Sequence, residues 1–488
     1  MRGWLAALMA ALFGLASAAV ALAPDLAGDP VRGAAVYAKN SCQGCHGIGA
    51  VDGTSPPLVG PEWKYGGDHA SIARSIRDGH MPLMLPMGGA KLSEAEINDI
   101  AAYLMDREKT ISAPERAVAT ANTAAGAPKG VVHSAVHDFR VETVAKTGTP
   151  YAFDFLPDGR ILIMEIQGSL RVVDHGKLLA KPIEGAPRGD ITGMTTYFRR
   201  GNLSLAVHPN YTANGWIYIL TARVAPNAPK DGSPYIGTIH RGRIVDGRWV
   251  DDKAILELPI EATESLRMKF DKQGYLYIGT PYSNFEYSGE DKYYAGQDIA
   301  RPEGKILRIK DDGSVPPDNP FVGKPGAYPY VWSYGHREPS GLTFDGNGEL
   351  WNVEDGQRGG DELNHVRKGH NYGWPVITWG HPYFNAAVPA HTERAGMDQP
   401  VVSWAPSPAL SDVEWYGGDA FPRWKGSFFI GSMKQRDMFR VTVDGDRGTL
   451  VETVLHNVDR LRDIGTGPDG MIYVLTDSGD LLRMVPAR

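Results

Sequence analysis

The chain holds only two cysteines, and they stand three apart with a histidine directly behind them, as Cys42-Gln43-Gly44-Cys45-His46. An exported protein with two cysteines ordinarily pairs them in a disulfide. Here the spacing argues for other chemistry. Two thiols one helical turn apart add across the two vinyl groups of a single porphyrin, and the next residue, His46, then faces the iron as proximal ligand. The pattern predicts one covalent c-type haem, attached at Cys42 and Cys45.

The N-terminus fits a destination where such a haem is assembled. Arg2 precedes an uncharged run from Trp4 to Leu15, and Ala16-Ser17-Ala18 supplies a small-x-small cleavage pattern. Residues 1–23 therefore read as a signal peptide that sends the protein to the periplasm, with no membrane span after cleavage. An uncleaved anchor is the alternative, because the apolar run continues to Ala23. A formal net charge of −7 offers no basic face for nucleic acid. No nicotinamide or flavin fingerprint is present, since Gly417-Gly418 lies in a turn and not in a strand–loop–helix unit. His133, His137 and His208 are scattered and read as loop or core residues, not as a zinc set.

The length of 488 residues allows two or three domains. Around the haem motif, residues 26–109 read as a small all-α domain. Pro30 to Lys39 forms a first helix, with Gly33, Val36 and Tyr37 on one face. Ser93 to Asp106 forms a closing helix, with Ser93 and Glu96 as a capping box and Ile97, Ile100, Ala101 and Leu104 as its apolar stripe. This layout resembles a class I cytochrome c. The resemblance is carried by the closing motif Leu92-Ser93-Glu94-Ala95-Glu96-Ile97 followed by Ala102-Tyr103-Leu104. It implies a methionine as distal ligand between Gly79 and Leu92, and thioether ligation raises the haem potential. Met84 has the family-like spacing and is favoured. Met81, in a Met-Pro dipeptide, is the alternative, and Met87 the remaining candidate. Two of the three are expected to be core filling.

Residues 110–133 are rich in Ala, Thr, Pro and Gly and read as a flexible tether. From residue 134 to 488 a strand, a Pro-Asp-Gly-like turn and a second strand recur. The six copies run through Phe153 to Met164, Leu205 to Leu220, Met268 to Gly279, Leu342 to Val353, Val413 to Ser432 and Ile464 to Thr476. The 58 glycines and 35 prolines suit such turns. This repeat predicts an all-β six-bladed β-propeller, with a β-sandwich pair or another solenoid as the alternative.

Several segments exceed what a blade needs: Gly304 to Ile309, Ser314 to Phe321, Trp332-Ser333-Tyr334-Gly335-His336-Arg337, Arg358 to Asn364 and Asn371-Tyr372-Gly373-Trp374-Pro375. Together they resemble the soluble glucose/sorbosone (aldose sugar) dehydrogenase family over about residues 145 to 485. The resemblance implies pyrroloquinoline quinone (PQQ) across the propeller mouth, polarised by a calcium ion that backbone carbonyls hold in part. It implies a sugar or sugar-aldehyde substrate and a histidine base. It also gives the haem a purpose, because a reduced quinol needs a one-electron acceptor. Residue by residue, Arg337, Lys434, Arg460 and Arg462 match the family's cofactor-binding cations, which suit a tricarboxylate. Gly356 falls where a carbonyl ligand of calcium is expected.

The chain departs from the family at the catalytic positions. Thr263 stands where the histidine base belongs. Gly279-Thr280 lacks the usual carboxylate, and Arg199-Arg200-Gly201 replaces a Gln-Gly-Gly segment. Glu338 follows Arg337 in place of an asparagine, and Glu354-Asp355-Gly356-Gln357 replaces Glu-His-Gly-Pro. Two of these changes add carboxylates near the expected calcium. Glu338 or Asp355 is therefore expected to bind the metal or to act as the base. The leading reading is a quinohaemoprotein that passes electrons from PQQ to its own haem and on to a respiratory acceptor. Two others stay open: a propeller that has lost the quinone and binds carbohydrate or another ligand, and metal-assisted chemistry without a quinone.

Overall fold

The computed structural model describes residues 27–40, 42–47, 49–51, 57–60, 63–79, 87, 91–121, 123–190, 201–226, 235–260, 265–282, 295–381 and 391–487. The expected signal peptide, Met81, Met84 and Thr263 lie outside the described residues.

The haem module is helical: α1 (Pro30–Lys39), α2 (Cys42–His46), α3 (His69–Asp78) and α4 (Glu94–Thr110). Asp29 caps α1 by accepting from the backbone N–H groups of Val31 and Arg32, with Pro30 in the first turn. Ser93 and Glu96 form the expected capping box of α4. The stripe Ile97, Ile100, Ala101 and Leu104 is buried with Tyr37, Ile72, Ile76 and Leu92. Helix α1 crosses α4 almost backbone to backbone: a Cβ on Gly33 would stand 1.9 Å from the Asp99 carbonyl oxygen. Asp99 locks the crossing by accepting from Arg32 Nε at 2.9 Å and from the Asp29 N–H at 2.7 Å.

Part of the segment expected as a tether is helical. Residues 113–121 form α5 (Ala113–Ala121). Its N-terminus repeats the capping box of α4, with Ser112 Oγ donating to Glu115 Oε2 at 2.7 Å and the Ser112 N–H to the same oxygen at 2.9 Å. Ala119 is fully buried in the haem-module core. The expected alanine-rich coil is thus a helix, because a cap and an apolar contact outweigh composition.

The second domain is a ring of six antiparallel sheets. Five have four strands each, spanning 150–178, 201–260, 267–334, 339–404 and 410–455. All six expected strand pairs are the two inner strands of these blades. Second strands such as Ile161–Glu165, Leu350–Glu354 and Phe428–Ser432 are buried throughout, which explains why they are mostly apolar. The intervening turns are built alike. Asp158, Asp271, Asp345 and Asp469 each accept a backbone N–H two residues on. The sixth blade joins the chain's two ends: the strands Leu461–Thr466, Ile472–Thr476 and Asp480–Pro486 are completed by Asp138–Lys146 and Val132–His133.

Each innermost strand is a sheet edge with unpaired backbone groups, and side chains of the neighbouring blade close it. From the first blade to the second, Asp154 accepts from Val207 N at 2.7 Å. From the second to the third, Ser204 accepts from Met268 N at 3.0 Å. From the third to the fourth, Arg267 Nε donates to Ser340 O at 3.0 Å. Thr343 then accepts from Trp415 N at 3.1 Å, and Asp412 from Ile464 N at 2.9 Å. Asp463 completes the circle by accepting from Phe153 N at 2.7 Å. These carboxylates line a central cavity of about 210 Å³ together with Lys269 and Glu414, which pair at 3.3 Å. They are structural staples for the ring.

Two outcomes follow from these contacts. Gly33→Ala drives a methyl group into a backbone carbonyl and is expected to cost the haem module about 2 kcal/mol or more, read from thermal loss of the Soret band. Desolvation pushes Asp154 from 3.8 up to about 6. The folded chain therefore holds a proton the unfolded chain has released, so this group lowers stability as pH rises from about 4 to about 6. Asp154→Asn keeps an acceptor for Val207 and removes that loss. Its melting temperature relative to the parent is expected to be higher at pH 7 than at pH 4.5, measured by calorimetry.

Candidate functional site

The sequence-derived cations gather at one end of the propeller. Arg337 stands two residues before the innermost strand Pro339–Phe344, Arg460 precedes Leu461–Thr466, and Arg462 lies within it. Asp355 and Gly356 follow the second strand Leu350–Glu354, and Lys434 follows Phe428–Ser432. Innermost strands start, and second strands end, on the same face of the ring, so the antiparallel pairing brings all of these residues to one mouth.

Arg337 is the best-defined member. Its Nη1 donates to Glu338 Oε2 at 3.1 Å, to the Gly356 carbonyl at 2.7 Å and to the Asp355 carbonyl. Three oxygens thus converge on one cationic nitrogen. The loop that presents the two carbonyls is tight: a Cβ on Gly356 would stand 2.1 Å from the Gly359 carbonyl oxygen, so glycine is required. Asp361 staples this loop by accepting from Gly356 N at 3.1 Å and Leu410 N at 3.0 Å. Burial pushes Asp361 up to about 6. Glu338 is only 4% exposed, and its second oxygen, Oε1, has no hydrogen-bond partner among the described residues. Asp355 Oδ1 accepts from Ser407 Oγ at 3.3 Å. The structure thus brings Glu338, Asp355 and Gly356 together around Arg337. The ring of Trp374 lies 5.6 Å from that guanidinium, and its buried indole N–H has no partner among the described residues.

Below this cluster, Glu354 accepts from Arg337 N at 3.0 Å and lies 3.4 Å from His336 Nδ1. Burial raises the Glu354 pKa, but the His336 charge and the hydrogen bonds to it outweigh that, and the pKa is lowered. Burial and then the Glu354 charge push its cross-strand neighbour Glu362 well above the usual carboxylate range.

The other two arginines share one counter-ion. Arg460 Nε donates to Asp477 Oδ2 at 2.8 Å, and Arg462 forks onto the same carboxylate, with Nη2 on Oδ2 at 3.0 Å. Arg462 and Arg267 both stack over the Tyr151 ring, at 5.3 and 5.1 Å. Lys434 makes no ion pair among the described residues, and its backbone N–H is fixed on the Pro408 carbonyl at 3.0 Å. Sequence reasoning missed Asp477 and Asp361 as members of the site, and read Trp374 as a structural residue ahead of a stacking partner for sugar or quinone. A signal for Asp477 exists, since it follows the last blade's second strand just as Asp355 follows that of the fourth blade.

In the haem module, Cys42, Cys45 and His46 lie on the single-turn helix α2. Tyr37 anchors the segment after His46 by donating its hydroxyl to the Gly47 carbonyl at 2.9 Å. Met87 is a buried core residue. Among the described residues no cluster of histidine, cysteine and carboxylate side chains forms a metal site.

A cation-rimmed six-bladed propeller behind a helical Cys-x-x-Cys-His module defines a sugar-dehydrogenase-type oxidoreductase fused to a cytochrome c. Residues 147–483 match the family model for glucose/sorbosone dehydrogenase, and the chain belongs to that family. Residues 28–104 match the model for the cbb3-type cytochrome c oxidase subunit III. Aldose sugar dehydrogenase YliI of Escherichia coli (strain K12) is 35% identical over 354 residues, covering 70% of this chain and 91% of that protein. Quinoprotein glucose dehydrogenase B of Acinetobacter calcoaceticus is 25% identical, covering 67% and 83%. The crystal structure of the soluble aldose sugar dehydrogenase of Escherichia coli in its apo-form superposes with a TM-score of 0.63 at 34% identity, covering 72% of this chain and all of that one.

The shared counter-ion is a testable element of the mouth. Asp477→Ala leaves two largely buried guanidiniums without their carboxylate and is expected to destabilise the propeller by about 3 kcal/mol, read from urea unfolding.

Proposed function

We propose that the protein is an exported quinohaemoprotein that oxidises a sugar, sugar aldehyde or related alcohol at PQQ in the propeller mouth. Its electrons pass to the haem at Cys42 and Cys45, and from there to a one-electron respiratory acceptor. The observation that carries this reading is the convergence of Arg337, Lys434, Arg460 and Arg462 on the mouth of a propeller that is covalently fused to a haem module. Membership in a family with quinoprotein relatives supports it.

The residues present fit the cofactor's charge. Arg337, Lys434, Arg460 and Arg462 would hold its three carboxylates by charge-assisted hydrogen bonds. Bound there, PQQ supplies a two-electron acceptor. The Asp355 and Gly356 carbonyls with Glu338 form an oxygen set that already accepts a cation, the Arg337 guanidinium. Calcium would take this set, with the guanidinium released toward the quinone carboxylates. Glu338 replaces the missing histidine as base and takes the substrate hydroxyl proton at Oε1, the oxygen without a partner among the described residues. Asp355 positions the loop and contributes negative charge beside the metal.

A second reading rests on the same contact. The guanidinium of Arg337 sits on the carbonyls that calcium needs, as it would in a propeller that binds carbohydrate without a quinone.

Two measurements separate these readings. The haem-loaded, oxidised protein is mixed with PQQ, calcium and a panel of aldoses, and the visible spectrum is recorded. Appearance of the reduced α-band only when quinone, calcium and one substrate class are all present is the expected result. No reduction with any sugar, and no PQQ binding by calorimetry, leaves the carbohydrate-binding reading. Glu338→Gln is expected to lower turnover by about 100-fold or more while PQQ still binds. Unchanged turnover with unchanged calcium affinity removes Glu338 from the chemistry.

A further inference from the structure

The haem module and the propeller are joined with almost no slack. On the haem side, Arg116 of α5 donates to the Gly60 carbonyl at 3.0 Å and pairs with Glu108 at 2.9 Å. Arg107 of α4 binds Glu115 of α5 at 2.8 Å. Ala119 is fully buried in the haem-module core, and Thr123 Oγ1 donates to the Ala119 carbonyl at 3.1 Å. On the propeller side, Asn457 Nδ2 donates to the Thr123 carbonyl at 2.9 Å. The N–H groups of Ala125 and Gly126 donate to the carbonyls of Asn457 and Val458 at 2.7 and 2.9 Å. The last residue in the haem core and the first one held by the propeller are thus Ala119 and Thr123, about one helical turn apart.

The receiving loop is itself fixed. Asn457 adopts φ +49°, a left-handed conformation that asparagine tolerates better than most residues. Its N–H donates to Asp437 Oδ1 at 2.8 Å, and Val458 N donates to the Arg436 carbonyl at 2.9 Å. Three residues later comes Arg460 of the mouth. Beyond Gly126 the chain stays on the propeller: Ala127 packs on the core beneath the last blades, and Ala135 N donates to Glu452 at 2.6 Å.

We propose that Asn457 and residues 123–126 form a latch that seats the haem module in one register beside the Arg460–Arg462 side of the mouth. This rests on the quinohaemoprotein reading and deepens it: the latch makes this chain's own haem the favoured first one-electron acceptor. Oxidation of one hydroxyl to a carbonyl releases two electrons and two protons. The haem iron takes the electrons singly, Fe(III) to Fe(II), and returns to Fe(III) by delivery to an external one-electron acceptor before taking the second. The protons go to solvent. A free tether would give the haem only a linker-averaged local concentration, whereas a latched module is held in the productive geometry.

The test uses the full-length, haem-loaded chain and the double variant Ala125→Pro, Asn457→Gly. Proline removes the Ala125 donor, and glycine removes the Asn457 side chain while tolerating its positive φ. Amide hydrogen exchange is read first, without substrate. The parent is expected to protect the Ala125 and Gly126 amides, and the variant to lose protection at Gly126 and be cut faster by trypsin after Lys129. Sugar-driven reduction of the haem, with PQQ and calcium bound, is expected to slow roughly tenfold or more in the variant. Turnover with a soluble two-electron dye is expected to keep its KM and kcat. Unprotected Ala125 and Gly126 amides in the parent overturn the latch whatever the sugar kinetics. Lost protection with an unchanged rate of haem reduction overturns its positioning role. Protection in the parent with no sugar-driven haem reduction supports the latch and overturns the quinone reading instead.

Discussion

The inner edges of the six blades set the terms for everything else in this molecule. Each blade is a complete sheet, so its innermost strand faces the axis with backbone N–H groups that no neighbouring strand can satisfy. The chain answers with side chains: Asp154, Ser204, Thr343, Asp412 and Asp463 each reach to the next blade and accept from its edge. Arg267 does the reverse, donating to the carbonyls of Ser340, Leu203 and Arg462 from three different blades. The axis is therefore polar and charged for structural reasons. The mouth inherits its geometry from the same staples, because Arg462 is gripped through its own carbonyl and Gly356 through Asp361.

This explains the division of labour among buried charges. Asp154, Asp412 and Asp463 hold backbone, and the N–H groups they satisfy offset only part of their burial cost, so that burial still pushes Asp154 and Asp412 up. Arg337 instead meets two carbonyls and Glu338, and Arg460 and Arg462 share one carboxylate, at the mouth, where an anionic ligand can take over these contacts. Charge that closes the ring and charge that faces the mouth are kept on different sides of Arg267.

The local parts of this architecture were legible in the sequence. The six strand–turn–strand units could be read because each is complete within about twenty residues, and four of them carry their own Asp-stapled turn. The cap and stripe of α4 were legible for the same reason. The closure of the sixth blade by Asp138–Lys146 was not, since it pairs residues more than three hundred apart and leaves no periodic trace. Helix α5 was hidden by its alanine-rich composition, although Ser112-Ala113-Pro114-Glu115 carries the same capping signal as Ser93 to Glu96. At the mouth, the cations came from motif resemblance. Asp477, their shared partner, belongs to no motif and became visible only through blade register.

The shared sixth blade also imposes an order of events on biogenesis. The haem module and the strand Asp138–Lys146 emerge from synthesis first, while the strands that complete their blade are the last to be made. The helical module can fold while the ring is still an open arc with Asp138–Lys146 unpaired. Truncation near the C-terminus therefore removes one edge from a finished arc and strands an early-made edge at the opposite end. The two ends of the propeller are thus coupled: the strand Asp138–Lys146 gains its main partner only when Asp480–Pro486 has been made.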